Sequence, residues 1–271
     1  MNNQLKEKYN KLREFFIQAG NVALAFSGGV DSTLLLKVAS IVLGKNVTAY
    51  IVRSALLSDR EYKEALDFCI KNNFQYKVID YDCFSLAELR ENKKDRCYFC
   101  KKNMFGQIKK FAFEAGINCI CEGSNTDDTK DYRPGMKAIE ELKIQSPLKD
   151  CGFSKDDIRR LSKKLKLKGW NKPSFACLAS RIPYGQEINE KKLNIVEKAE
   201  NLLFKAGLTQ VRVRLCDLVS VRIEVYIEEI PLILKKRQEL ISELKALGLK
   251  HISLDLEGFR SGSMNDFIVN R

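Results

Sequence analysis

An α/β fold is predicted for this chain: a parallel sheet flanked by helices, followed by a smaller α+β domain. Three observations carry that reading. Short continuous apolar runs such as Val22–Phe26 alternate with helical stretches, as in a sheet covered on both faces. Glycine-bearing turns, Ser27-Gly28-Gly29 and Glu122-Gly123-Ser124, follow two of those runs, where parallel sheets bind their ligands. After Gly185 the period changes to strict alternation in Val211-Arg212-Val213-Arg214-Leu215, the mark of strands with one covered face. The expected domains are 1–185 and 186–271.

In chain order, residues 3–19 read as a helix and Val22–Phe26 as a buried strand. A turn follows, and then a helix from Thr33 to about Val42. A strand near Val47–Val52, a helix near Asp59–Asn72, a strand near Tyr76–Ile79 and a helix from about Tyr98 to Ala115 continue the alternation. Asn118–Cys121 reads as a fourth strand. In the second domain a helix from about Asn189 to Ala206 precedes Val211–Leu215 and Val219–Ile227, which read as hairpin partners. A helix from about Pro231 to Leu247 and a strand near Ile252–Leu256 close the pattern.

The chain carries 47 Lys+Arg against 35 Asp+Glu, a formal +12, which favours phosphorylated or polyanionic ligands and keeps nucleic acid among the alternatives. Most basic residues are spread along helical segments, as on a solvated surface; a local excess runs from Arg159 to Lys172. No apolar run reaches the roughly 18 to 20 residues of a membrane span, and Met1-Asn2-Asn3-Gln4-Leu5-Lys6 lacks the apolar stretch of a signal peptide. A cytoplasmic location is expected, with the nine cysteines reduced. Cys69, Cys119, Cys121 and Cys216 read as small hydrophobes. His251 is the one histidine, which argues against histidine-rich zinc sites and histidine-based triads.

Three stretches carry chemistry. In Ser27-Gly28-Gly29-Val30-Asp31-Ser32, between strand and helix, the glycines allow close backbone approach, while hydroxyls and helix N-terminal amides can hold anionic oxygens. It lacks the lysine of a Walker loop and is not a dinucleotide turn. Cys97-Tyr98-Phe99-Cys100 opens a helix, where thiolates are favoured; a redox dithiol, half of a metal site and coincidence all remain open. Cys177, between the turns around Pro173 and Pro183, could be filler, nucleophile, metal ligand or sulfur donor. Four-ligand zinc would need two further cysteines, whereas a cubane iron–sulfur cluster can be held by three, with Cys177 the candidate third.

The sextet at Ser27–Ser32 resembles the pyrophosphate loop of the ATP pyrophosphatase (PP-loop) superfamily. That resemblance implies an adenine nucleotide α-hydrolase-like domain in which an oxygen nucleophile attacks the α-phosphorus of ATP. Asp31 would hold Mg2+, and Ser27, Gly28, Gly29 and Ser32 would bind phosphate. Four further stretches narrow it. Arg96–Lys101, Glu122–Asp128 with Tyr132–Gly135, Ala176–Gly185 and Leu254–Ser263 are together similar to the LarE family, sulfur transferases that make the nickel-pincer nucleotide of lactate racemase.

The LarE resemblance implies adenylation of a carboxylate of a pyridinium dicarboxylate mononucleotide and its conversion to a thiocarboxylate. Cys177, Asp31 and Arg181 would be catalytic, with Gly123, Asn125 and Asp128 also on the ATP site. In one branch of the family the cysteine matching Cys177 is the sulfur donor and is consumed. In the other, three cysteines hold a 4Fe-4S cluster, and the presence of Cys97 and Cys100 points to that branch. Arg212 and Arg214, on one face of the alternating strand, could grip the substrate phosphate, with Arg133 as a further contact, or could be two exposed arginines on an edge strand. Glu200 and Glu229 would serve a further metal, while Glu224 and Arg260 carry no assigned role. The expected cofactors are ATP, Mg2+ and the 4Fe-4S cluster. The expected partners are the small-molecule mononucleotide, other enzymes of the same biosynthesis and further copies of the chain; neither membrane nor nucleic acid is expected. A tRNA thiolation enzyme is the main rival, and a non-catalytic ATP-binding scaffold is another.

Overall fold

The computed structural model describes residues 3–130, 134–173, 176–260 and 262. Along the chain run α1 (Asn3–Ala19), β1 (Val22–Ala25), α2 (Val30–Leu43), β2 (Val47–Arg53), α3 (Asp59–Lys71), β3 (Gln75–Asp80), α4 (Ala87–Arg90), α5 (Arg96–Glu114) and β4 (Cys119–Cys121). Then come α6 (Gly135–Glu141), α7 (Pro147–Asp150), α8 (Lys155–Lys164), α9 (Glu190–Lys205), β5 (Val211–Leu215), β6 (Ser220–Val225), α10 (Ile230–Lys235), α11 (Arg237–Ala246) and β7 (His251–Leu254). The chain forms two compact units, Met1–Cys83 with Asp95–Phe175, and Phe84–Lys94 with Ala176–Arg271.

In the first unit β1 to β4 form a sheet in the order β3-β2-β1-β4, every pair parallel. Val22 registers with Val47 on one side and with Cys119 on the other, so β1 is central. Val22, Ala23 and Leu24 are fully buried, which explains the unbroken apolar run in the sequence. Leu24 joins a core with Leu12 and Phe16 of α1, Leu34 and Leu35 of α2, and Ile158 and Leu161 of α8. Ala23 belongs to a separate core with Phe105 and Ile108 of α5 and Ile139 of α6. Helices therefore cover both faces, as expected of this fold class. Each fully buried large side chain of this kind contributes about 1.5 to 3 kcal/mol.

Helix α8 is absent from the elements read from the sequence, although its start is encoded. Ser154 accepts from the amide of Asp157 while the Asp157 carboxylate accepts from the Ser154 amide, a complete capping box. Helix α5 begins at Arg96, ahead of the expected Tyr98, so Cys97 lies on its first turn and Cys100 about one turn further along.

In the second unit β5 and β6 are antiparallel, with Arg212 opposite Glu224 and Arg214 opposite Arg222; β7 runs parallel to β6. The expected helix over 231–247 is two helices, parted where Lys236 leaves helical geometry at φ −96°, ψ 11°. Segment 84–94 belongs here and is tied in by Asn92 and by the Arg90 carbonyl, which accepts from the Ile188 amide. The buried Asn92 amide Nδ2 donates to the carbonyls of Ile182, Pro183 and Gln186 at 3.3, 2.7 and 2.9 Å. The sequence boundary at 185 thus falls inside the second unit, since 176–188 is folded around Asn92 and Arg90. Among the described residues no helix is long and apolar enough to cross a membrane.

Candidate active site

The phosphate loop leaves β1 at Ala25 and enters α2 at Val30. Gly28 takes φ 72°, a left-handed conformation, and a Cβ there would stand 3.1 Å from that of Ala65. Gly123, at the exit of β4, has the other close approach: its Cβ would lie 3.1 Å from the Ser32 amide nitrogen. The two glycines let three chain segments converge on the start of α2. No side chain caps that helix at Gly29, so the amides of its first turn are available to an anion. Ser27 Oγ and Ser32 Oγ are 3.2 Å apart, and Ser32 Oγ also donates to Gly29 O.

Asp31 sits in this first turn, and both its oxygens accept from Lys155 Nζ, at 2.7 and 2.8 Å. Asn125 Nδ2 adds a longer bond of 3.3 Å. Burial pushes the Asp31 carboxyl above the usual aspartate range and Asp128 adds to this, while Lys155 pulls it back. Asn125 itself is fixed on three sides: its amide donates to Asp128 Oδ2, its Oδ1 accepts from the Asp127 amide, and Nδ2 meets Asp31. Behind it the buried Glu122 carboxylate accepts from the Ser124 amide and from the hydroxyls of Ser124 and Ser146. Ser27, Gly28, Gly29, Asp31, Ser32, Gly123, Asn125 and Asp128 therefore surround one helix start. Lys155 is the member that motif reading misses. Oxygen donors around a carboxylate that already faces a cation fit a hard divalent ion such as Mg2+.

Cys97, on the first turn of α5, is exposed and Cys100, about one turn on, is partly so. Gly135, the last residue of the Tyr132–Gly135 stretch, packs on that first turn, and a Cβ there would lie 3.3 Å from Cys97 O. Arg133 and Tyr132 lie outside the described residues. Among the cysteines read as small hydrophobes, Cys69 and Cys121 are buried and Cys119 is partly buried, with its sulfur 3.8 Å from that of Cys121. Cys216 is exposed, contrary to that reading, because it follows β5 in the open turn of the hairpin. Among the described residues no three His, Cys, Asp or Glu side chains gather into a metal-holding group.

In the second unit the exposed Cys177 precedes a 3-10 turn at Leu178–Arg181. Arg181 is buried and reaches back along it, Nη1 donating to Ala176 O, Cys177 O and Ser180 Oγ. Its other edge forks onto Glu200, whose Oε1 also accepts from the Val213 amide. Arg214 extends from the same strand to Ser180 O at 2.6 Å and forks onto Glu224 at 3.0 and 2.9 Å. The structure thus brings Cys177, Arg181, Glu200, Arg214 and Glu224 together. Arg212 shares their sheet face but is buried, its guanidinium 5.2 Å from the Phe259 ring centroid, so it is not the exposed edge arginine the alternation allows.

Glu200 and Glu229 serve other groups: Glu200 takes the guanidinium and an amide, and Glu229 accepts from the Thr209 hydroxyl and amide. Their present partners do not suit a shared metal. Arg260 pairs with Glu257 at 2.7 Å.

No protein-family model matches the chain. It is 37% identical over 251 residues to pyridinium-3,5-bisthiocarboxylic acid mononucleotide synthase of Lactiplantibacillus plantarum, covering 92% of this chain and 90% of that protein. It is likewise 37% identical to an uncharacterised protein of Synechocystis, over 96% of this chain and 98% of that one. A more distant match, 29% over 69% of the chain and 64% of the relative, is to a tRNA-specific 2-thiouridylase of Clostridium botulinum. With a parallel sheet, a glycine-bearing loop between its central strand and α2, and near end-to-end similarity to the Lactiplantibacillus synthase, the chain belongs to the LarE family.

Proposed function

We propose that the protein is an ATP-dependent sulfur transferase that adenylates a carboxylate of a pyridinium dicarboxylate mononucleotide and converts it to a thiocarboxylate. The observation that carries the reading is the anchoring of the Cys177 turn to β5: Arg181 and Arg214 tie it to the strand that supplies the candidate phosphate-binding arginines. The start of α2 supports the ATP half of the reaction, and membership of the LarE family supports the substrate.

In the first step a carboxylate oxygen of the substrate attacks the α-phosphorus of ATP, and the bond to the bridging oxygen breaks. Pyrophosphate leaves against Ser27, Ser32 and the α2 amides. Asp31 would hold Mg2+, which would offset charge on the triphosphate. A sulfur nucleophile then displaces AMP from the acyl carbon, leaving a thiocarboxylate. Arg212 and Arg214 would hold the substrate phosphate by charge-assisted bonds.

Cys97, Cys100 and Cys177 suit a 4Fe-4S cluster by donor chemistry, two thiols one helical turn apart and a third on an exposed turn. Such a cluster would supply a sulfide at its open iron. The shared cluster rests on the family motifs. The alternative, Cys177 as a consumed donor, keeps the same adenylation step.

The test is pyrophosphate release from ATP and Mg2+ with and without the pyridinium dicarboxylate mononucleotide. Release should depend on the mononucleotide. Release that depends instead on tRNA, with the mononucleotide inert, would replace this reading by tRNA thiolation.

A further inference from the structure

Lys155 belongs to no motif discussed above, yet it makes the closest contacts to the carboxylate assigned to the metal. Its ammonium bridges both oxygens of Asp31, and the two side chains are only 26% and 22% exposed. The placement is held from several directions. The Lys155 amide donates to Asp127 Oδ2 at 2.9 Å, tying the start of α8 to the β4 exit loop that also carries Asn125 and Asp128. The capping box at Ser154 and Asp157 fixes the helix turn, and Asp157 is in turn held by Lys8 at 2.6 Å. The backbone is thus anchored, while the ammonium rides on a flexible four-carbon stem.

A divalent ion needs one or both oxygens that Lys155 now occupies. The two cations repel at such range, so metal cannot load onto Asp31 until the ammonium leaves. Once displaced, that ammonium requires another anion, and the phosphate chain entering at the α2 amides is one within the same group of segments. We propose that Lys155 is the resident counter-ion of Asp31: it keeps the carboxylate closed to free divalent ions in the nucleotide-free protein, and yields it when ATP arrives with its metal, pairing then with phosphate oxygens. Metal therefore enters as the metal–nucleotide complex and not ahead of it. This rests on the ATP-dependent reading given above.

The experiment measures Mn2+ binding by electron paramagnetic resonance on nucleotide-free full-length protein: wild type, Lys155→Met, Lys155→Arg and the double variant Lys155→Met/Asp31→Asn. Mg2+–ATP affinity and substrate-dependent pyrophosphate release are measured in parallel. Lys155→Met should bind Mn2+ about tenfold more tightly than wild type without nucleotide, yet lose about tenfold in Mg2+–ATP affinity. Lys155→Arg, which keeps the charge, should still exclude Mn2+, and the double variant should lose the gain. If Lys155→Met folds and binds Mn2+ no better than wild type, the inference is overturned; a purely structural lysine would lower thermal stability without that gain. Should Lys155→Met not fold, Lys155→Arg binding Mn2+ more tightly than wild type would overturn it as well. Wild type that neither binds ATP nor releases pyrophosphate would overturn the functional reading, while the Mn2+ comparison still decides whether Lys155 shields Asp31.

Discussion

The guanidinium of Arg181 forks onto the carboxylate of Glu200, Nε to Oε1 at 2.8 Å and Nη2 to Oε2 at 3.0 Å, with side chains 2% and 7% exposed. Its remaining donors hold the carbonyls of Ala176 and Cys177. The pair therefore sets the position of the Cys177 backbone relative to β5, and only a fork-shaped cation can serve both sides. Arg181→Lys should lower the melting temperature and change the alkylation rate of Cys177, with sulfur transfer reduced more than ATP binding. Breaking a buried pair outright, as in Arg181→Ala, costs about 3 to 5 kcal/mol. Unchanged Cys177 alkylation in a folded Arg181→Lys protein would remove the positioning role.

Arg214 has a double duty that its sequence position does not reveal. Its fork onto Glu224 leaves that carboxylate, 1% exposed, dependent on Arg214 and on Arg222 at 3.1 Å. Arg214→Ala should therefore cost stability as well as mononucleotide affinity, the latter by about 1.5 to 3 kcal/mol. Isothermal titration with the mononucleotide and with ATP, alongside thermal melts, measures both. An equal loss of ATP affinity would place the arginine at the wrong phosphate.

Asp31→Ala should abolish pyrophosphate release while leaving circular dichroism unchanged, because the side chain faces Lys155 and Asn125 and not a core. Near-wild-type turnover would refute the adenylation assignment.

Asp157 ties the fold to pH. Although burial opposes it, bonds from Lys8 and from Ser154 hold its carboxyl below the usual aspartate range. A carboxyl lowered on folding adds stability that is complete above its unfolded value and is lost as pH falls through the folded one. Asp157→Ala should thus cost about 1 kcal/mol at neutral pH, the typical worth of a cap, and progressively less in acid below the ordinary aspartate value. Urea titrations at neutral and acid pH read this. A penalty that stays constant into acid would mean that packing, not the charged cap, is lost.

The first unit was legible because its signals are local. A buried strand followed by Ser27-Gly28-Gly29 and a helix locates the turn that joins β1 to α2, and the structure starts α2 directly after it without a side-chain cap. Lys155 was not legible, since it meets Asp31 only through the packing of α8; its single local trace is the capping signature Ser154-Lys155-Asp156-Asp157. In the second unit the alternation gives the shared face of Arg212 and Arg214, but not the neutralisation of Arg214. That depends on the pairing with β6, where the residue directly opposite, Arg222, is a further cation and the carboxylate comes from Glu224, diagonal to Arg214. The capture of 84–94 by the second unit involves the buried amide of Asn92 and the carbonyls of Asn92 and Arg90, whose partners between Ile182 and Ile188 lie far along the chain.

Iron content and protein mass distinguish the two possible sulfur sources. If Cys97, Cys100 and Cys177 share a cluster, protein prepared without oxygen should contain about four irons and colour accordingly. Each single Cys→Ala change should then remove most iron and most sulfur transfer together, because two thiolates hold a cubane poorly. A consumed Cys177 gives another pattern. Cys177→Ala would abolish transfer, while Cys97→Ala and Cys100→Ala would keep a single turnover. Spent wild-type protein would be lighter by one hydrogen sulfide, since the carbon–sulfur bond of Cys177 breaks by elimination and dehydroalanine remains. Intact mass after reaction, paired with iron content before it, separates the two. Iron-free protein that transfers sulfur once and loses that mass would overturn the cluster, yet Cys177, exposed and held at its backbone by Arg181, would remain the residue on which transfer depends.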